Sequence, residues 1–130
     1  MGSGAGKLKV FPGRGRAVVV FDAATTQTRA LKKIMAASVR AGARVRPFRG
    51  PVEVRIWTSV MASKAGAHDV DNVAKAVLDA LNGAFYLDDR QVVRLVSERF
   101  HGHANRIAVR VTALDGPLEP VDLDEGLLEF

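Results

Sequence analysis

Val52-Glu53-Val54-Arg55-Ile56-Trp57-Thr58-Ser59-Val60 alternates apolar and polar side chains along its length. Side chains of a strand point to opposite faces in turn, so the pattern predicts a strand with one buried face. Arg16-Ala17-Val18-Val19-Val20-Phe21 is apolar and β-branched, a second predicted strand. Residues 91–100 and 106–114 alternate as well, and the Gly- and Asn-containing turn between them predicts a hairpin. Two helical patterns lie among these strands. Residues 22–26 supply turn and N-cap chemistry for a helix running to about Ala41 and ended by Gly42. Leu31, Ile34, Met35 and Ser38 share one face of it, and Arg29, Lys32, Lys33 and Arg40 the other, as a solvated face or a phosphate-contacting stripe. A second helix is predicted from about Val70 to Asn82, terminated by Gly83. The order β-α-β-α-β-β, without repeat or linker, implies an α+β fold: a single domain whose mixed β-sheet carries two helices packed on it.

With 130 residues the chain is long enough to bury a core without staples, and it has no cysteine for a disulfide, a thiolate nucleophile or a thiolate-ligated zinc. Its apolar runs are short and interrupted by charge, so no membrane span is expected. Residues 1–9 read as a flexible lead without the apolar core of a signal peptide, and a cytoplasmic location is expected. Charge is distributed unevenly. All 19 Lys and Arg precede residue 111, whereas Asp115, Glu119, Asp122, Asp124, Glu125 and Glu129 follow it. The body, residues 10–114, is therefore strongly cationic and residues 115–130 form an acidic tail. Such a body attracts a polyanion, with an affinity that falls steeply with salt.

Against that background the carboxylates of one stretch stand out: Asp69 and Asp71 at the predicted helix start, Asp79 further along it, and Asp88-Asp89 beyond its end. Helix periodicity sets Asp71, Lys75 and Asp79 on one face, with Val73, Val77, Leu78 and Leu81 on the buried side. These residues by themselves allow two readings. Asp71, Lys75 and Asp79 can be a surface ion-pair ladder, with Asp88-Asp89 as turn chemistry. Alternatively, a chain return antiparallel to the helix brings Asp89 back beside Asp69 and Asp71, and the three carboxylates make an oxygen-only pocket suited to Mg²⁺ or Mn²⁺.

The ordered set His68-Asp69-Val70-Asp71-Asn72-Val73-Ala74-Lys75, then Asp79-Ala80-Leu81-Asn82-Gly83, then Asp88-Asp89-Arg90-Gln91-Val92-Val93 resembles the RusA family of Holliday junction resolvases. The match is dense over residues 68–93 and looser over roughly 10–113, where Pro12-Gly13-Arg14-Gly15-Arg16 is similar to a basic loop that many members carry. The resemblance implies a RusA-like fold and a small homodimeric endonuclease of bacteria and phages. Such an enzyme cuts four-way or other branched DNA in recombination and repair by paired symmetric nicks, using Mg²⁺, for which Mn²⁺ can substitute. Carried over residue by residue, Asp69, Asp71 and Asp89 match the metal-holding catalytic carboxylates, Lys75 the essential lysine, and Asp88 the less critical first member of its pair. Arg14, Arg16, Lys64, Asn72, Arg90 and Arg99 are the candidate DNA contacts. His68 stands where Arg or Lys is common, and Arg99 replaces a lysine of the following strand, which suits a phosphate contact rather than a proton donor.

Two readings from other classes compete: a non-catalytic basic DNA-binding module, and a small interaction protein whose basic surface binds its own tail or a protein partner. The tail itself reads as a solubilising segment, or as a DNA mimic, or as a replication-protein contact through Leu127, Leu128 and Phe130. His101 and His103 are expected in the hairpin turn, facing solvent. Trp57 is expected to pack in the core. Phe85 and Tyr86 are expected to pack too, with a wedge into an opened junction as their alternative role.

Overall fold

The computed structural model describes residues 7–22, 33, 35–37, 39–40, 46–61 and 70–123. Five strands form one sheet: β1 (Lys7–Gly13), β2 (Arg16–Asp22), β3 (Val52–Met61), β4 (Val92–Gly102) and β5 (Arg106–Ala113), in the spatial order β1-β2-β5-β3-β4. One long helix, α1 (Val70–Leu81), connects β3 to β4. Helical residues also occur between 33 and 40, where Met35 and Val39 are buried while Lys33 and Arg40 are exposed. Leu31, Ile34, Ser38, Arg29 and Lys32 lie outside the described residues. The fold is the expected α+β arrangement, a mixed sheet with helices packed on it. No helix among the described residues is long and apolar enough to cross a membrane.

Alternation decides which face is covered. Val52, Val54, Ile56 and Val60 of β3, Ala17, Val19 and Phe21 of β2, and Ile107, Val109 and Val111 of β5 are all buried. All but Val60 meet Val73, Val77 and Leu81 of α1, together with Met35 and Val39, in one core. Burying each large apolar side chain stabilises the fold by roughly 1.5–3 kcal/mol, so this layer holds the sheet and helices together.

Three differences from the sequence reading have physical causes. The sheet gains β1, which begins at Lys7, inside the expected lead, and pairs antiparallel with β2 through an Arg14-Gly15 turn. The family resemblance makes Pro12-Gly13-Arg14-Gly15-Arg16 a basic loop, but an edge strand tolerates a residue without an N–H such as Pro12. Gly15 has φ +69° there, a conformation suited to glycine.

Next, β4 and β5 are not a hairpin. They flank β3, with β4 parallel to it and β5 antiparallel. The crossover through α1 forces the β3–β4 pair to be parallel, and the turn after β4 then steps across the end of β3. Ser59 Oγ donates to the Ala104 carbonyl at 2.9 Å and Asn105 Oδ1 accepts from the Met61 amide at 3.0 Å. A Cβ at Gly102 would meet the Ser59 hydroxyl and turn it away from the Ala104 carbonyl. His101 and His103 are exposed, as expected.

Trp57 is the third correction. It shares the phase of Glu53 and Arg55 rather than that of Val54 and Ile56, so it lies on the sheet face opposite the core.

Candidate active site

The start of α1 is open to solvent. Asp71 lies in the first turn, exposed, and its Oδ1 accepts the amide of Asn72 at 2.9 Å. Asn72 thus serves the carboxylate through its backbone. Ser97 of β4 donates its hydroxyl to the Val70 carbonyl at 2.9 Å, fixing the first turn against the sheet. Lys75 is one turn on and exposed, and no ion pair among the described residues involves Lys75 or Asp71. Arg99 follows Ser97 by two positions on the same face of β4 and is exposed. Between α1 and β4 runs a groove of about 340 Å³, floored by Val70, Ala74, Leu78 and Leu95, with Asp71 and Lys75 on its rim. Asp69, His68 and Lys64 lie outside the described residues.

The other end of α1 is tightly built. Gly83, at φ +84°, ends the helix and donates its amide to the Tyr86 carbonyl at 2.7 Å. Tyr86 and Phe85 are fully buried, which fits packing rather than a wedge. The Tyr86 hydroxyl donates to the Leu78 carbonyl at 2.8 Å. Burial drives its phenol far above the usual range, and the nearby charges of Asp89 and Asp79 push in the same direction.

Asp88 caps a single 3-10 turn, Asp89–Gln91, by accepting the Arg90 amide at 2.8 Å. The Arg90 guanidinium closes on the same carboxylate at 3.2 and 3.3 Å, and these bonds hold the Asp88 carboxyl below its ordinary value. Arg90, a candidate DNA contact, is therefore already paired within its own turn. Gln91 joins everything nearby. Its Oε1 accepts the amides of Leu87 and Asp88 at 2.8 and 2.9 Å, and its Nε2 donates to the carbonyls of Phe48 and Gly50 at 2.7 and 2.8 Å. Sequence reasoning gave Gln91 no role. Its place in the family-like Asp88-Asp89-Arg90-Gln91-Val92 segment was the available signal, and the loop it fastens is distant in sequence.

The chain return after α1 does not carry Asp89 back to the helix start. Asp89 is exposed near Tyr86, whose hydroxyl touches Leu78, and Leu78 lies about 10 Å along the helix axis from Asp71. Strand β4, not the turn, makes the antiparallel return. Among the described residues no three acidic or histidine side chains converge on a possible metal position. Asp71 and Asp89 therefore lie at opposite ends of α1 in one chain.

The family pattern of the endodeoxyribonuclease RusA matches residues 13–112, which takes in both ends of α1 and four of the five strands. The chain belongs to the RusA endodeoxyribonuclease family. A stretch of 43 residues is also 46% identical to the uncharacterized protein YqaN of Bacillus subtilis (strain 168). That likeness covers 33% of this chain and 30% of the length of YqaN. Within the family-matched span, Arg14 and Arg16 sit exposed at the β1–β2 turn and the start of β2.

Proposed function

We propose that this chain is a divalent-metal-dependent endonuclease that cuts four-way DNA junctions, and that two copies are needed to build each active centre. The observation that supports this reading is the placement of Asp71 and Asp89 at opposite ends of one helix. A two-fold axis perpendicular to α1 sets the helices of two copies antiparallel, so the start of one faces the end of the other. The α1–β4 groove and the unpaired outer edge of β4, with Val93 and Leu95 exposed, form an apolar seam that suits such a contact.

Asp69 and Asp71 are two residues apart, so their Cα atoms are separated by at most about 7 Å. With the partner subunit's Asp89 they make an all-oxygen donor set that fits a hard cation such as Mg²⁺ or Mn²⁺. When bound, that ion supplies Lewis-acid neutralisation of charge at the scissile phosphate. The chain's own groups do the rest. Oδ1 of Asp71 is held by the Asn72 amide, which orients the carboxylate. Lys75 brings a cation within one turn of Asp71 to bind the scissile phosphate and to stabilise the leaving oxygen. Arg99 contacts the flanking backbone as a charge-assisted donor. Two centres related by the axis cut opposing strands of a symmetric junction.

Cleavage of labelled junction, flap and duplex substrates, with and without Mg²⁺, tests this. We expect Mg²⁺-dependent nicking that prefers the junction. Asp71→Asn should lower cleavage by about 10³-fold while junction affinity stays within a factor of about three. An Asp71→Asn protein that still cuts well removes the proposed centre. Tight junction binding by the wild-type chain without nicking leaves a DNA-binding module.

A further inference from the structure

The proposed centre leaves the sheet face opposite the core unused. Both helices pack on the other side, so among the described residues no helix covers this one. Its middle is Trp57. The Arg55 guanidinium lies 5.0 Å from the centre of the indole ring and that of Arg110 lies 5.5 Å away. Arg55 and Arg110 are also directly opposite each other in the β3–β5 register. Like charges facing across a strand pair destabilise a sheet, yet here two arginines occupy such a position.

The surroundings compensate them only in part. Glu98 pairs with Arg55 at 3.1 Å, and Glu53 is shared between Arg94 at 3.0 Å and Arg110 at 3.6 Å. The Nε atoms of Arg55 and Arg110 are buried without a hydrogen-bond partner. Strand alternation adds Arg16 from β2 and Arg106 from β5 to the same face, both exposed. Phe100, 47% exposed, continues it beyond Trp57 on β4. Among residues whose side chains are described, five arginines share this face with two glutamates.

We infer that this face is a second DNA-contacting surface, which receives the sugar-phosphate backbone of one arm of the branched substrate. The inference rests on the branched-DNA reading above. The Arg55–Trp57–Arg110 stack supplies a flat cationic and aromatic platform, the chemistry that holds phosphates and unstacked bases together. Arg16 extends the positive track toward β2. A second copy of the chain is the poorer occupant. A two-fold contact through this patch would set each copy's arginines against the same arginines of its mate.

Trp57 is the only tryptophan, so its emission reports on this face directly. The full chain is titrated with a fluorescein-labelled four-way junction at low salt without divalent cations. Junction binding is read by anisotropy, and acrylamide quenching of Trp57 is read in parallel with unlabelled junction. We expect the quenching constant to fall to about half or less on saturation and to recover when salt releases the DNA. A junction that binds while Trp57 quenching stays unchanged overturns the inference and leaves the branched-DNA reading intact. Absence of junction binding overturns both. Shielding of Trp57 already present in the free chain also overturns it: a concentration dependence then indicates a second copy, and its absence indicates cover by the chain itself. As an independent measure, the double variant Arg55→Gln/Arg110→Gln should bind the junction about ten-fold more weakly. Its slope of log affinity against log salt should be shallower by about 2. An unchanged slope in a folded double variant contradicts the proposal.

Discussion

The two ends of α1 are built on opposite plans. At the start, among the described residues, Asp71 and Lys75 are exposed, make no ion pair, and are backed by the Ser97–Val70 bond and the Asn72 amide. At the end, Tyr86, Asp88 and Gln91 are each tied down by hydrogen bonds, and the loop around Phe48 and Gly50 is fastened to them. Uncompensated charge in the open contributes little to stability. Buried or multiply bonded polar groups do contribute, since leaving their partners unsatisfied costs more than the bond itself is worth. Under the proposed function the open start of the helix is the reacting surface. The end is a rigid mount that presents one further carboxylate, Asp89.

Substitutions at the two ends should differ accordingly. The largest effect expected is on catalysis at the open end: Lys75→Met should lower junction cleavage by about 10²-fold, with Lys75→Arg recovering part of it. The urea midpoint of Lys75→Met should match wild type, and a clear loss of stability would break the contrast. At the mounted end, Gln91→Leu should destabilise the fold by roughly 2–3 kcal/mol in urea denaturation, because four polar partners lose their bonds. A variant as stable as wild type would show that the mount is not held by Gln91.

The smallest effect concerns pH. Burial raises the folded-state value of Tyr86 above its ordinary value of 10.0. The stability this contributes is fully present below about pH 10 and is lost as pH rises through the alkaline range. Tyr86 is the only tyrosine, so tyrosinate absorbance should appear together with alkaline unfolding, not ahead of it. Ionisation in a chain that is still folded would show that the phenol is less enclosed than its bond to Leu78 indicates.

Much of the fold was legible because alternation and helix periodicity report directly on burial. The pattern of β3 gave its buried face, and Gly83 marked the end of α1. Pairing between strands was less legible, because alternation in β4 and β5 says which face is buried and not which strand is the neighbour. Trp57 shows the cost of setting residue type above phase. Its place in an alternating strand suggested the core, while its odd-numbered position in phase with Arg55 assigned it to the other face. For the proposed site, the sequence offered the carboxylates and the lysine as candidates but not the separation of Asp71 from Asp89. The connection from Gly83 to Asp88 is long enough to reach either end of α1. Only the anchoring of Tyr86 to Leu78 and of Gln91 to Phe48 and Gly50 keeps it at the end.

Whether one centre draws on two chains can be measured by mixing variants. Asp71→Asn and Asp89→Asn are prepared separately, and each should lose cleavage by about 10³-fold. They are then unfolded and refolded together. A mixed dimer with shared centres has one centre assembled from Asp71 of one chain and Asp89 of the other, both intact. Junction nicking should therefore return to about a quarter of the wild-type rate, since half the dimers are mixed and each has one working centre. If each centre lies within a single chain, no combination restores it, and a mixture as inactive as its two components contradicts the account.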